Sequence, residues 1–169
     1  DITERVLTER ALRENEEKYR SLFDHCPDAF YALDAEGGFL SVNESTCRII
    51  GYSREELMRM KFDPLLVPDE KQKVRSHFQK ALHGEPQNFE TTVLHKDGSR
   101  VVIQVTNTPV TAEGKIVGVY AIAEDITERV RAERSLRENE EKYRSMFDHS
   151  MDAILLTRPD GMILDANPA

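Results

Sequence analysis

The run Lys96-Asp97-Gly98-Ser99-Arg100-Val101-Val102-Ile103-Gln104-Val105 decides the fold. Lys96-Asp97-Gly98 is a tight hairpin signal, because Asp-Gly supplies the backbone freedom of a short antiparallel turn. Beyond it, Val101, Ile103 and Val105 alternate with Val102, Gln104 and Thr106, which places the odd positions of a strand over 99–108 on a core face. Its partner before the turn spans 88–95. Downstream, Glu113-Gly114 marks a looser turn into a strand over 115–123. Upstream, strands over 29–33 and 39–42 flank the turn Asp34-Ala-Glu-Gly-Gly38. Three helices lie between the two groups of strands. Asn43 caps one that ends at Ile50, before Gly51. Ser53 and Glu56 form a capping box for another over 54–58. Asp69 caps a longer one over 70–82, stopped by Gly84. Strands at both ends of a helical middle imply an α+β fold, one antiparallel sheet with helices on one face.

Residues 3–24 and 127–148 read as the same helix, rich in Glu, Arg, Lys and Leu and free of Gly and Pro. Residues 1–45 laid on 125–169 give 26 identities without a gap, and Leu12–Ser21 returns letter for letter as Leu136–Ser145. An offset of 124 residues is too long for a solenoid repeat and suits a domain with its connector. The expected organisation is an N-terminal linker or coiled-coil helix over 1–24, a domain over 25–125, an exit linker helix over 126–148 and the truncated start of a second domain over 149–169. Asp125 and Thr127 can each cap the exit helix, with Glu128 placed for a capping box. Leu136, Tyr143 and Phe147 give these long amphipathic helices a thin coiled-coil seam, with Glu140 inside it.

Hydrophobic residues make up 39% of the 169, enough for one core, and the formal net charge of −8 opposes binding to nucleic acid. No apolar run approaches the roughly 18 residues that span a bilayer. There is no signal peptide, although the missing initiator Met leaves upstream processing open. Cys26 and Cys47 have neither metal nor redox spacing, and free thiols fit a reducing cytoplasm. A phosphate-binding loop, a paired-His metal motif and a nucleophile elbow are all missing from the sequence. Asp24-His25, which recurs as Asp148-His149, sits where helix meets strand and reads as a cap or hinge. No catalytic residue and no metal ligand is expected.

Asn43 through Gly51-Tyr-Ser-Arg-Glu-Glu-Leu57, the hairpin Lys96-Asp-Gly-Ser99 and the terminal Asp125-Ile-Thr-Glu-Arg129 together resemble the PAS domains of bacterial sensor histidine kinases and diguanylate cyclases. The resemblance covers residues 20–129, and Tyr143–Ala169 matches the opening of another copy. It implies a five-stranded antiparallel sheet in the order 2-1-5-4-3 and a sensory or protein-interaction role. It also implies a ligand cavity between the long helix and the sheet, with a filled apolar core as the alternative. The candidate lining is Val74, His77, Phe78, Ile103, Val105, Val119 and Ala121, around an unknown small molecule.

No cofactor is expected. Flavin photochemistry in this family uses a Cys after the second short helix, where this chain reads Met60-Lys-Phe-Asp-Pro64, and a Gln on the last strand, where it has Ala123. Haem would need an axial ligand, and His77 is the one alternative. The last strand is apolar on both parities, with Val117, Val119, Ala121 and Ala123 on one side and Ile116, Tyr120 and Ile122 on the other. A sheet covered on one face alternates apolar with polar, so a partner for the outer face is expected. The expectation is a homodimer through Val6, Leu12, Tyr19, Leu22, Phe23, Tyr120 and Ile122, from the linker helices and outer sheet face. Asp125 and Thr127 would pass a shift of the last strand into the exit helix. Residues 150–169 are expected to pair with a neighbouring sheet, by strand exchange with another protomer. The leading reading is a cytoplasmic relay module of a multi-domain signalling protein. Its alternatives are a ligand-free structural dimerisation module and a haem- or flavin-binding fragment.

Overall fold

The computed structural model describes residues 2–168, so positions 1 and 169, the outer limits of the expected first and last segments, lie outside the described residues. The elements are α1 (Ile2–His25), β1 (Ala29–Asp34), β2 (Phe39–Val42), α2 (Glu44–Ile50), α3 (Arg54–Leu57), α4 (Lys71–Leu82), β3 (Gln87–Leu94), β4 (Arg100–Ala112), β5 (Lys115–Asp125), α5 (Thr127–Asp148), β6 (Leu155–Thr157) and β7 (Ile163–Ala166). They form two compact units, residues 1–127 and 128–169.

In the first unit, five strands make one antiparallel sheet in the order β2-β1-β5-β4-β3, as the resemblance implied. The parity of β4 sets its core: Val101, Ile103 and Val105 are buried beneath α4, whose Val74, Phe78 and Ala81 recur at helical spacing. Asn43 caps α2 by accepting from the Thr46 amide, and Gly51 ends that helix in the left-handed region at φ 77. Ser53 and Glu56 form the reciprocal capping box of α3.

Four local expectations change. Asp69 does not cap α4, because Pro68–Glu70 is a 3-10 turn. The Glu70 carboxylate accepts instead from the Thr91 hydroxyl and the Thr92 amide, tying the helix start to β3. Glu113-Gly114 is a two-residue hairpin between paired Ala112 and Lys115, with φ of 49 and 76; it is the tighter of the two turns. Val117 leaves the core side of β5, because the β4–β5 register slips across it, from Val110 opposite Gly118 to Thr111 opposite Ile116. One unpaired residue reverses side-chain parity at that point. Within the chain, α1 does not cover the outer sheet face. Val6, Leu12, Tyr19 and Leu22 are exposed, and only Phe23 is partly buried, edge-on to Phe30.

In the second unit, α5 is followed by an antiparallel pair, β6 and β7. The Ile154 amide donates to the Asn167 side chain, whose own amide donates to the Asp152 carbonyl. Asn43 does the same for Phe30 and Asp28, each exactly one repeat length earlier in the sequence.

Candidate functional site

A cavity of about 60 Å³ lies between the sheet and the helices. Val74 and Phe78 of α4 and Ile103 and Val105 of β4 line it, with Ile49 and Ile50 of α2, Phe89 of β3 and Ala123 of β5. Of the seven expected lining residues, these four are brought together. Val119 and Ala121 are fully buried but do not reach the space. His77 stands outside it: its ring stacks on Phe89 at 4.1 Å and its Nδ1 lies 2.8 Å from the Gln87 side-chain oxygen. His77 is therefore not a lining residue of the cavity. No residue on the lining carries a formal charge or an imidazole, among the described residues.

Asn107 and Tyr31 are among the lining residues that the sequence reading missed. Asn107 extends the odd, inward parity of β4 beyond Val105 and is 5% exposed. Tyr31 shares the inward parity of Ala29 and Leu33 in β1 and meets Phe39 edge-on. Burial drives the Tyr31 phenol far above its ordinary pKa, so the site holds it neutral. Strand parity could have found both; attention to apolar positions hid them.

The end of β5 ties the cavity wall to the start of α5. Ala123 lines the cavity. Three residues on, Ile126 is buried and its amide donates to the Val102 carbonyl at 2.9 Å. The Thr127 amide donates to Asp125 Oδ1, and the Thr127 hydroxyl accepts from the Val102 amide at 3.0 Å. Asp125 and Thr127 therefore anchor the strand end by different routes, one local and one across to β4. On the outer face, Phe23, Phe30 and Tyr120 form an aromatic row with centroid spacings of 5.3 and 5.9 Å. Tyr120 and Ile122 remain 41% and 42% exposed. At the same end of α1, Asp24 pairs with Arg54 and His25 Nδ1 lies 2.8 Å from the Ser21 carbonyl, which is capping geometry.

The family model described as PAS fold matches residues 23–131, and one described as PAS domain matches 141–169. Among curated proteins, sporulation kinase E of Bacillus subtilis is 30% identical over 99% of this chain and 22% of its own length. The methyl sulfide methyltransferase-associated sensor of Methanosarcina acetivorans is 30% identical over 80% of this chain and 14% of its own. The chain thus spans about a fifth or less of these relatives. Among solved structures, the PAS domain of a Colwellia psychrerythraea protein superposes with a TM-score of 0.62 at 28% identity, covering 66% of this chain and 97% of that one. The PAS domain of an HTR-like protein from Haloarcula marismortui gives 0.62 at 26%, covering 70% and 98%. No described helix is long and apolar enough to cross a membrane.

Proposed function

The chain belongs to the PAS family, and from that premise we propose that it is a non-catalytic relay module of a cytoplasmic multi-domain signalling protein. A small molecule or partner perturbs the sheet, and the last strand passes the change into α5. The observation that carries this reading is the short path from Ala123, on the cavity wall, to the Ile126 and Thr127 bonds with Val102. A strand tied to its neighbour at the helix start has little slack, so two arrangements of it differ at the helix as well. Pairing of two copies through the linker helices and the outer face, at Phe23, Tyr120 and Ile122, gives the relay something to move.

A thermal-shift screen of metabolites on the whole chain, followed by hydrogen exchange, tests the proposal. A compound that raises the melting temperature is expected to change exchange at Ile126–Val130. A library without a single binder, or a binder that leaves those amides unaltered, would sink it. The small size of the cavity favours one second reading, a dimerisation module that holds nothing. Sedimentation showing a dimer, with no binder in the screen, is the outcome that reading requires.

A further inference from the structure

Asn107 and Tyr31 occupy one row across the sheet. Tyr31 of β1 and Asn107 of β4 both lie opposite Ala121 of β5, which is fully buried between them. Strands are about 4.8 Å apart, so the two backbones are roughly 10 Å apart with only a methyl group in the middle. Both side chains line the cavity, and among the described residues no hydrogen bond engages the Asn107 carboxamide or the Tyr31 hydroxyl; no fully buried side-chain polar atom there lacks a partner, so both groups keep accessible surface. The contrast within the same wall is plain. The Thr46 hydroxyl bonds the Phe30 carbonyl and Asn43, and the Thr91 hydroxyl bonds Glu70. Polar groups with unused hydrogen-bonding capacity at a cavity wall are the points that orient a ligand.

The lining fixes the ligand's charge as well as its shape. It carries no cationic or anionic side chain, and Glu70, the carboxylate bonded to the lining residue Thr91, is also committed to Thr92 and Lys73. An ion placed there would be desolvated with nothing to pair it. The volume of about 60 Å³ has room for about five water-sized groups. We propose that the cavity takes a compact, uncharged ligand with an apolar body of a few carbons and one hydroxyl or primary amide. That head group both donates and accepts, and it sits between the Asn107 carboxamide and the Tyr31 hydroxyl. This inference rests on the small-molecule arm of the relay reading and names its ligand class.

The test is an NMR titration of the whole chain with n-butanol, butyrate and xenon, read at the methyl groups of Val74, Ile103 and Val105. Butanol is expected to shift these signals and butyrate to leave them in place. Tyr31→Phe and Asn107→Leu are each expected to weaken butanol about ten-fold while xenon binding persists. Asn107→Leu breaks no side-chain hydrogen bond within the protein, so its ligand-free melting temperature is expected to hold or rise. A fall instead would mean that the carboxamide serves the fold, and would overturn the assignment. Butyrate binding as well as butanol, or butanol binding unaffected by both variants, overturns the ligand class and leaves the relay reading standing. No response to any of the three probes overturns both.

Discussion

Asn43 is wholly buried and all of its side-chain polar atoms are engaged. Its oxygen accepts from the Phe30 amide, the Thr46 amide and the Thr46 hydroxyl, and its amide donates to the carbonyls of Phe23 and Asp28. Asn43→Ala strands several backbone groups and should cost about 3 kcal/mol in urea denaturation, more than a lost helix cap alone. The capping role was legible from the sequence, but the bonds to Phe23 and Asp28 were not, because local pattern says nothing of partners 20 and 15 residues away. Gly51 is a similar case. A Cβ there would collide with the His95 ring, and φ is already 77, so Gly51→Ala should destabilise by about 2 kcal/mol. The β3–β4 turn adds a pH dependence. Bonds from Ser99, and then His95, hold the Asp97 carboxyl down to about 2. A depressed carboxylate contributes stability that is complete above its unfolded pKa near 3.9 and lost as pH falls through the folded value. The urea midpoint should therefore drop between about pH 5 and pH 2, and Asp97→Ala should shrink that drop.

The β5–α5 junction is the element on which the relay depends. Ile126→Ala removes a side chain that is 2% exposed, and a loss of about 3 kcal/mol is expected on unfolding in urea. By contrast, the α1 pairs Arg10–Glu14 and Arg13–Glu17 are solvent-exposed, and breaking either should change stability by less than about 0.5 kcal/mol. If the outer face pairs two copies, Tyr120→Lys with Ile122→Lys should yield a monomer in sedimentation while the circular dichroism spectrum stays unchanged. Strands and helices were readable because period-2 and helical spacings follow from burial alone. The bulge at Val117 was not. It accompanies Gly118, where a Cβ would collide with the Leu33 carbonyl, and that close approach of β1 is a tertiary fact. The site was half legible for the same reason. Apolar lining follows the core pattern, whereas Asn107 and Tyr31 matter because of what they lack, and partners are visible only in three dimensions.

At the scale of the whole molecule, the two units differ in completeness. Residues 1–127 contain the entire five-stranded sheet and its core, and residues 128–169 contain one helix and one hairpin. A protein of residues 1–127 alone should melt within a few degrees of the full chain. A hairpin such as β6–β7 is marginal in isolation, so a peptide of residues 149–169 should show no cooperative melting. The proposed strand exchange adds a further expectation, that deleting 150–169 changes the oligomer seen in sedimentation. The buried asparagine that grips the chain behind each long helix has a wider consequence. Asn43 and Asn167 hold the same backbone positions at the same distance from identical stretches, Leu12–Ser21 and Leu136–Ser145. Such a socket makes each cassette interchangeable: a string of them can gain or lose a member by splicing anywhere within the shared stretch, with every survivor still properly seated.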